Sequence, residues 1–157
     1  MSKDDVIKYL QSHTIFSDLK PAHIQLLADC AKEKAFTAGD LLFNQEEPAK
    51  HFYILTEGAI EVEVPAIAGP NLVVQSLGAN DVLGWSWLIP PYKWTFEAKA
   101  KADSKVLVFD GKTLLQHCEK DHHFGYSLMK LFTGLMSQRL HAARLKMMDS
   151  WAPAGWA

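Results

Sequence analysis

HFYILT, residues 51–56, is followed by Glu57-Gly58 and then by AIEVEV, residues 59–64. The first run is rich in aromatic and branched side chains and reads as a buried strand. Glu57-Gly58 breaks it. The second run alternates apolar and polar residues, as a half-exposed strand should. Two short strands of different burial within fourteen residues point to an all-β core.

The same reading extends outward in both directions. Upstream, Thr37-Ala38-Gly39-Asp40 is a turn, Leu41-Leu42-Phe43 a short strand, and Asn44 to Pro48 a polar turn. Downstream, Pro65 to Pro70 is a hairpin tip, Leu72 to Leu77 returns, and Gly78-Ala79-Asn80-Asp81 leads into Val82-Leu83-Gly84. Trp85-Ser86-Trp87-Leu88-Ile89 follows, then alternating strands over Phe96 to Ala102 and Lys105 to Phe109. Many short strands separated by turns predict an antiparallel sandwich or roll, here over about residues 35–110.

Helices flank it. Ser2 or Asp4 can cap a short helix carrying Val6, Ile7 and Leu10. Pro21 suits the first turn of a second helix, because its missing N–H is not needed there. Ile24, Leu27 and Ala31 share a face of that helix, with Leu26 and Cys30 beside it. After the roll, Asp110 can cap a helix over 112–117. A long helix then spans about 121–148, and the tail 149–157, with Trp151 and Trp156, is expected not to continue it. The whole, 1–157, is read as one domain.

Composition narrows the function. The chain has 157 residues, 48% hydrophobic and 22% charged, the balance of a globular protein. The formal net charge of −2 gives no basic footprint for nucleic acid. Cys30 and Cys118 are too few for a disulfide framework or an iron–sulfur site. No signal-peptide layout opens the chain, and no apolar run reaches the ~20 residues of a membrane span, so a cytoplasmic protein without membrane contact is expected. His122 and His123 are adjacent and point apart on a helix. No metal site is expected, and no nucleophile–base pair, phosphate loop or paired carboxylates suggest an enzyme.

Taken together, Phe16-Ser17-Asp18-Leu19, Phe36 to Phe43, Phe52 to Gly58 and Leu77 to Gly84 resemble the cyclic-nucleotide-binding domain family, including the effector domain of catabolite-activator-type regulators. The match runs over about residues 10–148. It implies a β-roll of jelly-roll type with N-terminal helices and a long C-terminal helix. In nucleotide-binding members the glycine matching Gly84 precedes a Glu, a short helix and an Arg. The carboxylate takes the ribose hydroxyl, and the guanidinium and helix N–H groups hold the cyclic phosphate. Here Trp85 stands at the Glu position and Trp94 at the Arg position. Lys93 is the one substitute phosphate contact on offer, yet in a strand over 93–100 a one-place shift turns it to the opposite face.

The candidate pocket is therefore Gly84, Trp85, Ser86, Trp87, Leu88, Trp94 and Thr95, an aromatic lining with Ser86, Thr95 and helix N–H groups as polar handles. It favours a small molecule other than ordinary cAMP or cGMP, and no cofactor is expected. Leu128, Leu131, Leu135, Ala142 and Leu145 form a seam on the long helix, with Phe132, Met136, Leu140, Ala143 and Met147 as a second strip. Resembling proteins dimerise through this helix, which implies a parallel homodimer. Arg139, Arg144 and Lys146 read as solvated charges. Transcription-factor relatives continue into a helix-turn-helix, and here the sequence ends soon after Met148, so direct DNA binding is not expected. Three readings follow: a stand-alone sensor module, a ligand-free interaction or scaffold protein with its own protein partner, and an atypical cyclic-nucleotide binder.

Overall fold

The computed structural model describes residues 1–151, with side chains through Asp149. Ser2 caps α1 (Lys3–Ser12): its hydroxyl accepts from the Asp5 N–H at 3.1 Å, and the Asp5 carboxylate accepts from the Ser2 N–H at 3.0 Å. α2 (Pro21–Asp29) begins at its proline and stops sooner than its apolar spacing suggests. Ala31, expected on that helix, instead opens β1 (Ala31–Phe36). The roll thus starts before residue 35. β1 carries Lys32, Glu33 and Lys34, all exposed, because it is an outermost strand, where charge discourages pairing with another chain.

The remaining strands are β2 (Leu41–Phe43), β3 (His51–Glu57), β4 (Ile60–Val64), β5 (Leu72–Leu77), β6 (Val82–Leu83), β7 (Glu97–Ala100) and β8 (Ser104–Asp110). They pair antiparallel in two four-stranded sheets, ordered β1-β8-β3-β6 and β2-β7-β4-β5. β7 begins at Glu97, so the strand expected from residue 93 or 96 starts later, and residues 84–96 form one long connection. Gly58, with φ of +103°, makes the turn between β3 and β4, where a Cβ would run into Ser104.

β3 is buried on both faces from Phe52 to Leu55. Phe52 lies flat on Phe109, with centroids 4.3 Å apart, and meets Phe132 edge-on at 5.2 Å. Tyr53 turns the other way, toward Phe43 at 6.1 Å. One face of β3 thus carries the helices and the other lines the inside of the roll. Two hydrogen bonds fasten α1 to the turn before β6, from the Tyr9 hydroxyl to the Asn80 side chain and between His13 and the Asn80 carbonyl, both 2.7 Å.

α3 (Gly111–Lys120) is capped by Asp110 as its sequence suggests. α4 (His122–Trp151) follows, with the Asp121 carboxylate accepting from the N–H groups of His123 and Phe124. Those hydrogen bonds, led by the one from Phe124, hold the Asp121 carboxyl below its usual range. α4 also runs three residues past Met148, to Trp151, which corrects the expected start of the tail. Residues 152–157 and the side chain of Trp151 lie outside the described residues, and with them the expectations for the two tail tryptophans. No helix among the described residues is long and apolar enough to cross a membrane. Cys30 and Cys118 are half-buried free thiols, both pushed upward in pKa by burial.

Candidate functional site

At the end of β6 the chain leaves the sheet through Gly84, whose φ is +97°. Two constraints demand glycine there. The backbone is left-handed, and a Cβ would stand 2.7 Å from Cη2 of Trp94. Trp94 is 5% exposed and lies flat on Phe43, with centroids 3.7 Å apart and planes 9° from parallel. Tyr53 completes the cluster at 6.4 Å from Trp94. Burial, aided by the Glu47 carboxylate, pushes the Tyr53 phenol up to about 12.

The connection from Gly84 to Phe96 holds turns rather than a helix. The Leu88 N–H donates to the Trp85 carbonyl and the Tyr92 N–H to the Ile89 carbonyl, both at 3.0 Å. Pro90 and Pro91 lack the N–H groups that continuing a helix would require. The helix N–H groups expected as polar handles are therefore absent, a correction to the sequence reading. The end of the connection is tied to residues 46–49: Glu46 N–H to the Trp94 carbonyl at 2.8 Å, Trp94 N–H to the Glu47 carbonyl at 3.0 Å, and Ala49 N–H to the Tyr92 carbonyl at 2.7 Å.

Beside this connection lies a cavity of about 320 Å³. The roll contributes Phe43, Val62, Val74, Gln75 and Leu83. The connection contributes Gly84, Trp85, Ser86, Trp94, Thr95 and Phe96, and α4 adds Met136, Arg139, Leu140 and Ala143. Gly84, Trp85, Ser86, Trp94 and Thr95 are thus brought together as the sequence suggests. Trp87 and Leu88 are not. Both are buried away from the cavity, and Trp87 packs against Phe52 and Phe132 at 5.5 and 5.4 Å. Its Nε1–H has no partner among the described residues. Lys93 is exposed, bridges Pro48 through its backbone and is not among the lining residues.

Arg139 is the residue that sequence reasoning placed wrongly. Assigned to a solvated face, it is half-buried and lines the cavity. Its Nη2 donates to the Val82 carbonyl, and Cζ lies 5.4 Å from the centre of the Trp85 ring. Burial lowers the guanidinium to about 10, against the opposing pull of Asp81, so it stays protonated at neutral pH. The signal was present in the spacing. Met136, Arg139, Leu140 and Ala143 recur at helical intervals on one stripe of α4.

The proposed self-association seam also divides. Leu128 and Leu135 are buried within their own chain and Leu131 packs partly against the same core. They dock α4 on the roll and are not open to a partner. Ala142 and Leu145 remain exposed, as do Leu140, Met147 and Met148. Among the described residues, no three His, Cys, Asp or Glu side chains gather as a metal set.

Two antiparallel four-stranded sheets with flanking helices and a long C-terminal helix define the class as a β-roll domain. Residues 33–121 match the family described as "Cyclic nucleotide-binding domain", over half of the 157-residue chain, and the protein belongs to that family. No curated protein sequence matches it. It is similar to the crystal structure of a candidate cyclic nucleotide-binding protein from Geobacter metallireducens, with 26% identity and a TM-score of 0.77 over 85% of this chain and 97% of that one. The sensor domain of the transcriptional regulator DNR from Pseudomonas aeruginosa shares the fold, with 20% identity and a TM-score of 0.71 over 88% of this chain and 93% of that one. So does the regulatory domain of Toxoplasma gondii PKA with cAMP, at 22% identity and a TM-score of 0.72. There the match covers 87% of this chain and half of that one.

Proposed function

We propose that this chain is a cytoplasmic sensor module whose cavity takes a small, largely apolar molecule in place of ordinary cAMP or cGMP. It binds rather than catalyses, and α4 carries the state of the cavity to a second copy of the chain. One observation supports this most. The Trp94 indole fills the space over Gly84 where a phosphate-binding arginine is expected by resemblance, yet about 320 Å³ stays open beside it. The vacated charge is decisive for a nucleotide. Losing one partner of a buried charge pair costs about 2–5 kcal/mol, on the order of 30- to several-thousand-fold in affinity. Trp85 likewise offers no carboxylate to a ribose.

α4 supports the signalling half of the reading. Met136, Arg139, Leu140 and Ala143 line the cavity, while Leu145, Met147 and Met148 lie exposed a turn further on. A shift of the helix against an occupied cavity would be felt at that apolar end, which suits a helix-to-helix homodimer contact. Regulatory neighbours, among them the DNR sensor domain, fit the same class.

The test is a titration with the neutral fluorescent probe 1-N-phenylnaphthylamine. Saturable one-site binding, with quenching of tryptophan emission, is expected. Ala143→Trp, which fills the cavity from the helix side, should abolish it. Binding that survives Ala143→Trp would come from the exposed end of α4 and would refute the cavity reading, as would no saturable binding at all.

A further inference from the structure

We propose that Arg139 holds the acid group of the ligand, which is a small planar carboxylate bound with its acid end against α4 rather than against the 84–96 connection. The inference rests on the cavity being a ligand site and goes on to name the ligand's class.

Among the described residues, Arg139 is the only ionisable one lining the cavity. A guanidinium carries five N–H donors in a fixed fork. The Val82 carbonyl takes one side of it, and no carboxylate forms an ion pair with it among the described residues. A cation taken out of water without a direct ion pair destabilises the fold, and burial lowers its pKa although Asp81 pulls the other way. Its position is nevertheless fixed. One hydrogen bond to Val82 and the Trp85 ring 5.4 Å away hold the group at the cavity wall. A preoriented cation with no direct ion pair, only partly offset by Asp81, in a largely apolar cavity is complementary to an anion that enters with an apolar body.

The kind of anion follows from the remaining walls. The guanidinium fork matches a carboxylate through two parallel hydrogen bonds. One cation balances a monoanion and leaves a phosphomonoester dianion half-compensated. The ribose 2′-hydroxyl of a cyclic nucleotide would meet only the neutral side chains of Gln75, Ser86 and Thr95 in place of a carboxylate, a weaker pairing. The aromatic side chains of Phe43, Trp85, Trp94 and Phe96 along the wall instead suit a ring system. A cavity of about 320 Å³ is at the small end of ligand pockets, ~300–1,000 Å³, which limits that body to one or two rings.

The experiment compares two probes of the same shape, 2-naphthoate and 2-naphthamide, by calorimetry at neutral pH on the full chain. The wild type should bind the acid at least about tenfold more tightly than the amide. Arg139→Met should bring the acid down to the affinity of the amide while leaving the amide within about twofold, and Arg139→Lys should recover part of the preference. The comparison on the wild type stands even if a variant folds poorly. Equal binding of acid and amide would overturn the inference and leave the cavity reading intact. If neither naphthalene binds while 1-N-phenylnaphthylamine does, the ligand class is wrong. If none of the three binds, the cavity reading fails along with it.

Discussion

The two walls of the cavity have exchanged the chemistry expected of them. By family resemblance the connection at 84–96 should carry the charges, a carboxylate and a guanidinium, while the basic residues of the long helix read as solvated. Here the connection presents Trp85 and Trp94, and the helix presents a cation, Arg139. The connection is also built into the core. Trp94 stacks on Phe43, and Trp87 packs on Phe52 and Phe132. Arg139 by contrast makes one backbone hydrogen bond and stands over one ring. On the proposed reading, one wall serves mainly stability and the other mainly recognition, although both face the same space.

Stability measurements can break that division. Trp94→Ala removes a buried, stacked indole and should cost about 3–5 kcal/mol in denaturant unfolding. A loss below about 1 kcal/mol would show that the connection is not the structural wall. A smaller effect comes from pH. The Tyr53 phenol, with an ordinary value of 10.0, is held up to about 12 in the fold. Below pH 10 it is protonated in both states and contributes no slope. Between about pH 10 and 12 the unfolded chain ionises first, so stability should fall, by about 3 kcal/mol in all. Tyr53→Phe should remove that part of the alkaline slope, and an identical slope would contradict the burial argument.

On the helix side the expected changes in stability are slight. Arg139→Met should leave the unfolding free energy within about 1 kcal/mol of wild type, since the lost contacts are offset by relief of a poorly solvated charge. A loss comparable with that of Trp94→Ala would make Arg139 structural. Lys93→Ala, at an exposed position, should move stability by no more than about 0.5 kcal/mol, and should leave probe binding unchanged. Reduced binding in that variant would return Lys93 to the site.

Much of this was legible in the sequence, for physical reasons that also mark where legibility ended. Strands such as 51–56 and 60–64 declare themselves because one or both faces are buried. β1 did not, because its middle residues are charged and exposed at the sheet edge. In the connection, Gly84, Trp85 and Trp94 fell beside one cavity, as their spacing suggests. Trp87 did not, since nothing in its spacing distinguishes a wall from the core beneath it. α4 was the harder case. An apolar stripe says that a face is covered without saying by what, so Leu128 and Leu135 looked like partner contacts while they dock on their own roll. Arg139 looked solvated for the same reason. Charge alone does not reveal which neighbours a long side chain will find.

The most direct test of the exchanged walls is calorimetric titration of the wild-type chain with cAMP and with cGMP, followed in parallel by tryptophan fluorescence. Trp85 and Trp94 stand on the cavity wall and report on what enters it. The account predicts no saturable heat and no fluorescence change up to millimolar nucleotide. Saturable binding at micromolar concentration would contradict it, and would mean that Arg139 on α4 holds the phosphate in place of the missing arginine of the connection.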